Sequence, residues 1–304
     1  MKVINVCKDD WANFSYDNAM AMKAVGIDAK SLKLNPHIHN YPEQSDIVSI
    51  EEMIMQCTDA DVIQFVHSDL YCFNHIAPHI PGKRINVIYT GTVYRKNPEV
   101  FNEIFNPVVD KSIIALGEFA GLGAKNEVYM VGAIDVSKFY FNQKHSSLPY
   151  KFAHYPSNIE VKGTREIVDM MQEFHPEVDF TFKTNRVSFV QQCIRMEECD
   201  VYIELFKAEL DKKKYGSWGI TGLEAAALGK VVITMNLSSH VYSQHYGSCE
   251  LITVEDEKQF RQTIHRLSCM PQNAMDYKKA QTRKWVEDKH SYKATGEYIL
   301  KHIL

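Results

Sequence analysis

Short apolar runs recur along the chain. Most are followed by polar turn residues and then by a stretch whose apolar positions fall three and four apart. Apolar runs bounded by turns read as buried strands, and the wider spacing reads as amphipathic helix. In the first half this predicts strands at Val3–Cys7, Ala29–Leu34, Asp61–Val66, Ile85–Thr90, Ser112–Leu116 and Glu127–Val131. Helices are predicted at Tyr16–Val25, with Ser15 as N-cap and Gly26 as stop, at Ser49–Cys57 and at Pro98–Phe105. The polar, aperiodic segment Phe141–Tyr150 reads as a linker. The alternation then restarts. Strands are predicted at Lys151–Tyr155, Val178–Lys183, Asp200–Leu205 and near Glu250–Thr253. Helices are predicted at Thr164–Phe174, with an apolar stripe of Ile167, Val168, Met171 and Phe174, at Val187–Glu197 and from Glu255 to Leu267, with mostly helix from Gln272 to Leu304. Such alternation marks parallel sheets covered by helices. The expected fold class is therefore α/β, with two Rossmann-like domains facing a central cleft. Their expected spans are 1–145 and 146–304, the last helix packing back on the first domain. Open sheets of this kind take ligands beyond the carboxyl ends of their strands, so the site is expected between the domains.

Composition narrows the function classes. The 304 residues are 45% hydrophobic and 24% charged, enough for sizeable cores. A net charge of −4 argues against a general polyanion-binding surface, while leaving room for a local basic groove. Seven cysteines with no CxxC pair suggest neither a disulfide framework nor a zinc site. The opening MKVINVCKDDW is too short for a signal peptide, and no apolar run reaches the about 18 residues of a membrane span. A cytoplasmic protein without an integral membrane segment is expected.

Two segments carry candidate chemistry. In GSWGITGLEAAALGKVVIT, Gly216–Thr234, Thr221 and Glu224 form a T-x-x-E pattern, which reads as a capping box. The same stretch has a second reading. Gly216, Gly219 and Gly222 would leave backbone N–H groups uncovered at the positive end of a helix, a seat for phosphate, with Glu224 one turn on to accept bonds from ribose hydroxyls. In HYPSNIEVKGTREIV, His154–Val168, the run Lys162-Gly163-Thr164 stands at a helix start, where the lysine is either solvated or reaches an anion held there.

GSWGITGLEAAALGKVVIT resembles the donor-domain signature of the family 4 glycosyltransferases of the GT-B fold, and PSNIEVKGT resembles their Lys-Gly motif. VGAIDVSKF, Val131–Phe139, and VIYTGTVYRKNP, Val87–Pro98, are similar to two further segments, in the family's order. The resemblance implies a retaining, metal-independent transferase that uses a nucleotide-diphosphate sugar of UDP or GDP type as co-substrate, with no cofactor. It implies that Glu224 holds the ribose, that Thr221 with the amides of Gly222 and Leu223 lies near the diphosphate, and that Lys162 offsets its charge. The chain departs from the pattern at Gly216, where the family has its first glutamate. It departs again at Pro156 and Ser157, where an arginine is usual, and at Thr90 and Val93. Ser157 is kept among the donor-side positions, and Arg165, Lys183 and Arg186 are the candidate replacements for the missing arginine.

Elsewhere, His67 and Asp69 end a predicted strand and could orient or deprotonate an acceptor hydroxyl, or cap the next segment. Arg95, in a predicted loop, could bind an acidic acceptor or the donor phosphate. Asn13 follows the first strand and could contact phosphate. Asp59 and Asp61, and the pairs His37/His39 and His75/His79, lack the companions a metal site needs. The basic run Tyr277–Lys289 reads as a solvated helix face with Trp285 on its buried side. The expected acceptor is a bacterial glycan or lipid-linked sugar. Alternatives are a hydroxymethylated base in phage DNA and an inactive sugar-nucleotide-binding protein.

Overall fold

Val3, Ile4, Val6 and Cys7 lose all contact with water in β1 (Lys2–Cys7), the strand around which the first half is built. The coordinates are those of a computed structural model that describes residues 1–141, 145–207, 209–210, 213–216 and 218–304. Asn142, Gln143 and Lys144 of the expected linker, and Ser217 of the glycine-rich loop, lie outside the described residues. After β1 come α1 (Phe14–Ala24), β2 (Asp28–Lys33), β3 (Asp46–Ile47), α2 (Ile50–Thr58), β4 (Val62–Val66) and α3 (Leu70–Ile76). They are followed by β5 (Arg84–Tyr89), α4 (Gly91–Lys96), α5 (Pro98–Phe105), β6 (Lys111–Ile114) and β7 (Glu127–Tyr129). The strands form one parallel sheet in the order β3-β2-β1-β4-β5-β6-β7.

The differences from expectation have local causes. The two-residue β3 is exposed and has no periodicity to read. The segments carrying His75 and Arg95, expected as loops, are the short helices α3 and α4. The predicted cap Ser15 lies inside α1. Its N–H instead donates to Asp10 Oδ1 (2.8 Å), so an aspartate further upstream satisfies the helix start. Ser49 and Glu52 form a reciprocal capping box that fixes the start of α2. Asp61 accepts the N–H of Lys2 at 2.7 Å, a structural use of that carboxylate.

The second half contains β8 (Lys151–His154), α6 (Ile159–Lys162), α7 (Thr164–Met171), β9 (Asp179–Phe182), α8 (Phe189–Glu197) and β10 (Val201–Leu205). It continues with β11 (Glu209–Leu210), β12 (Lys213–Lys214), α9 (Ile220–Ala227), β13 (Val231–Met235), α10 (Ser239–Tyr246), β14 (Ile252–Val254), α11 (Glu257–Ser268) and α12 (Gln272–His290). Its parallel sheet has the order β14-β13-β10-β8-β9, and β11 and β12 form a separate antiparallel ribbon. On α7 the buried stripe is Ile167, Met170 and Met171. Val168 is only half-buried, and Phe174 lies beyond the helix in a 3-10 turn.

The basic run on α12 is less solvated than its composition suggests. Lys279 is buried against Asp200 (3.2 Å) and Ser146 (3.0 Å). Arg283 donates to the carbonyls of Val136 and Phe139, each at 3.0 Å, and of Ala227. Trp285 is buried as expected, its indole N–H meeting the Tyr242 hydroxyl at 3.1 Å.

The final helix, α13 (Tyr292–His302), lies against α1. Gly296 permits the approach, since a Cβ there would stand 2.1 Å from the Ala21 carbonyl oxygen. The Tyr292 hydroxyl donates to Asp17 at 2.6 Å. One compact unit is thus Met1–Asp135 together with His290–Leu304, and the other is Val136–Lys289.

Candidate functional site

In an open parallel sheet, the chain leaves two neighbouring strands in opposite directions at one point, and a crevice opens beyond their carboxyl ends. In the first unit that point lies between β1 and β4. The residues just past both strands are held in left-handed backbone conformations that non-glycine residues rarely adopt: Ala12 and Asn13 (φ 56° each) after β1, and His67 (φ 63°) and Ser68 (φ 48°) after β4. Strain of this kind gathers at functional positions.

His67 cross-links three loops there. The Trp11 N–H lies 3.1 Å from Nε2, and Nδ1 lies 2.6 Å from the Thr90 hydroxyl oxygen. Asp10, missed from sequence, lies 3.5 Å from His67 Nε2 with its side chain fully buried. Its oxygens accept from the N–H groups of Ser15 and Tyr16 and from the Ser45 hydroxyl. Burial favours the neutral acid. The neighbouring His67, the Ser15 amide and the Ser45 hydroxyl outweigh it and hold Asp10 below the usual carboxylate range. Cys7 completes the cluster, and burial pushes its thiol well above the ordinary value, so it stays protonated. Both Asp10 oxygens accept hydrogen bonds from the chain itself, which ties the cluster to the start of α1 and to Ser45.

The other first-half candidates are likewise engaged. Asp69 caps α3 through the Cys72 N–H (2.9 Å) and accepts the Lys8 N–H (2.6 Å). Arg95 pairs with Glu118 through two nitrogens. Asn13 donates to the Glu43 carbonyl (3.1 Å), and its buried Oδ1 has no partner among the described residues. His67 and Asp69 thus have positioning contacts at the strand ends, and the capping alternative for Asp69 describes its geometry.

In the second unit the reversal lies between β8 and β10. Lys162 ends α6, which follows β8, and Glu204 sits near the end of β10 with a fully buried side chain. The two form an ion pair. Glu204 Oε1 also accepts the Gly219 N–H (3.2 Å), and Oε2 accepts the Thr234 hydroxyl (3.1 Å). The glycine-rich loop is shaped around this pair. A Cβ on Gly219 would stand 3.1 Å from Glu204 Oε1 and 3.2 Å from Lys162 Nζ, and one on Gly222 would stand 3.1 Å from Glu204 Cγ.

Several expectations are corrected here. Thr221 is not an N-cap. The helix begins at Ile220 with Gly219 in the capping position and no side-chain cap, so Thr221 and Glu224 form no capping box. The amides expected to stand open are partly taken: that of Gly219 goes to Glu204, and that of Gly222 goes to the Gly219 carbonyl at 3.0 Å. Lys162 is not a solvated lysine.

Leu223 and Glu224 are both buried on α9. The Glu224 carboxylate lies near enough to Cys193 of α8 to add to the upward push that burial gives that thiol. Ser157 is exposed, and the neighbouring Asn158 is the residue that caps α6. Of the candidate replacements for the missing arginine, Arg165 is 91% exposed beside Asp169, and the Lys183 ammonium lies 5.9 Å from the Tyr155 ring.

His154, at the end of β8, braces the same point. Nδ1–H donates to the Ile203 carbonyl (2.7 Å), and Nε2 accepts from the Thr164 hydroxyl (3.0 Å), tying β8 to β10 and to the start of α7. Burial pulls its pKa down to about 4, and the Lys162 charge adds to the effect. Glu204 could have been found from sequence. A carboxylate within the otherwise apolar Val201–Leu205 needs a partner once the strand is buried. Asp10 lacks so plain a signal.

No family model matches the chain. No curated protein matches it in sequence. Solved structures do match in shape. HepE from Anabaena, in complex with UDP and glucose, aligns with a TM-score of 0.68 at 10% identity, over 99% of this chain and 98% of that one. Sucrose-phosphate synthase from Thermosynechococcus elongatus aligns with a TM-score of 0.62 at 12% identity, over 99% and 98%. AviGT4, a glycosyltransferase involved in avilamycin A biosynthesis, aligns with a TM-score of 0.58 at 11% identity, over 99% and 96%. With its two parallel-sheet units matched over nearly the whole chain, the protein has the GT-B glycosyltransferase fold.

Proposed function

We propose that this chain is a glycosyltransferase that moves a sugar from a nucleotide-diphosphate donor to a hydroxyl acceptor, with retention at the anomeric carbon and without a metal. UDP is the preferred nucleotide, because HepE, which shares the fold, is seen with UDP and with UDP-glucose. The observation that carries the reading is the convergence of Lys162 and the Gly219 N–H at the β8/β10 reversal, with Glu224 one helical turn further along α9. In this reading Lys162 and the starts of α7 and α9 stabilise charge on the departing diphosphate, and Glu224 holds the ribose. Thr221, Gly222 and Leu223 line the diphosphate side, with Ser157 at its exposed edge. His67, Asp69 and Arg95 shape the acceptor side, and Asn13 offers its partnerless Oδ1 to a donor or acceptor group. Among the described residues no helix is long and apolar enough to cross a membrane. The acceptor class we favour is a bacterial glycan or lipid-linked sugar.

The test is thermal-shift screening against UDP, GDP, CMP and ADP sugars, since a ligand held by the native state raises its stability. One nucleotide diphosphate should stabilise the protein, with the shift largely lost in Glu224→Ala. Donor consumption in the presence of acceptor then separates an enzyme from an inactive binding protein. Absence of a shift with all four donor classes would end the proposal.

A further inference from the structure

We infer that Glu204 is an internal competitor of the donor diphosphate, and that nucleotide binding passes Lys162 from Glu204 to phosphate. This rests on the donor reading above. One carboxylate oxygen, Oε1, takes both groups that reading assigns to the diphosphate: the Lys162 ammonium and the Gly219 N–H. The Glu204 side chain lies close against both glycines: an added Cβ would stand 3.1 Å from its Oε1 at Gly219 and 3.1 Å from its Cγ at Gly222. Thr234 anchors the other oxygen, so Glu204 stays in place when Lys162 leaves.

A buried anion there has two consequences. Before binding, it neutralises Lys162 and holds its side chain at the strand reversal. During binding, it repels the incoming phosphates across a poorly screened distance. Both effects weaken nucleotide affinity, and weaker affinity for the departing nucleotide speeds its release, a step that limits turnover in many transferring enzymes.

Glu204→Gln keeps the shape and the Thr234 contact while removing the charge. Isothermal titration of wild type and variant with UDP, and with GDP in parallel, is the test. The variant should bind UDP roughly tenfold more tightly, within the range usual for coupled interactions, with most of the gain in a slower off-rate. Lys162→Met alone should weaken UDP binding, because the exchanged group is gone. If Glu204→Gln does not fold, Glu204→Asp, which withdraws the carboxylate by one methylene, should still bind severalfold more tightly. Wild type binding UDP while the Glu204 variant binds equally or more weakly would make Glu204 an orienting support for Lys162 and overturn this inference alone. Failure of wild type and variants to bind either nucleotide would overturn the donor reading and this inference with it.

Discussion

Acidification should weaken the second unit through His154. In the folded chain the ring is wholly buried and neutral, with Nδ1–H given to Ile203 and Nε2 accepting from Thr164. Its pKa is pulled down to about 4, whereas an unfolded histidine titrates near 6.5. The sign follows from linkage. Below about pH 6.5 the unfolded chain takes up a proton that the folded chain refuses, so the stability present at neutral pH is lost as pH falls from about 6.5 towards about 4. With those two values, the loss relative to pH 8 is about 2 kcal/mol at pH 5 and about 3 kcal/mol at pH 4. In a domain of this size the first figure corresponds to a fall in melting temperature of about 4–8 °C. The comparison is His154→Gln, whose amide can donate to Ile203 and accept from Thr164 but does not titrate. Denaturant unfolding of both proteins from pH 8 to pH 4.5 should give stability curves that approach each other by about 2 kcal/mol by pH 5. Parallel curves across that interval would refute the assignment of a neutral, buried histidine beside Lys162.

Two further outcomes test the site's construction. Gly163→Ala should cost about 3 kcal/mol or more, measured by denaturant unfolding. Gly163 has φ +67°, and an added Cβ would lie 1.8 Å from the Phe206 carbonyl oxygen. Gly82→Ala, at φ +76° with nothing within 4 Å, should cost only the backbone term of about 1–2 kcal/mol. Asp10→Asn should destabilise the first unit by about 2–4 kcal/mol at pH 7, because one oxygen cannot replace two that accept from the start of α1 and from Ser45. Asp10 has a lowered pKa, so its contribution is present above about pH 4 and is lost as pH falls through the folded value. The variant should therefore lack part of the wild-type acid-unfolding limb.

The parallel sheets were legible in the sequence because buried parallel strands leave uninterrupted apolar runs, and VYIEL and VVITM carry that mark in the text itself. Short helices such as α3 and α4 were not, since seven or six residues hold too few apolar positions to display a period. The site was legible in part. The T-x-x-E pattern at Thr221 satisfied a local rule, yet the cap falls two residues earlier, at Gly219, and uses no side chain. The glycine spacing was read as a phosphate seat, and the Gly219 N–H meets an internal carboxylate, a partner that local sequence does not reveal. Here Glu204 comes from the neighbouring strand, fifteen positions before Gly219 in the chain, to take that glycine's N–H. A glycine-rich helix start therefore has two physical explanations, a ligand phosphate or an internal carboxylate. This chain places a carboxylate where the donor reading requires a phosphate. The two readings combine only if Glu204 can surrender Lys162, so under the donor reading that ion pair opposes nucleotide binding.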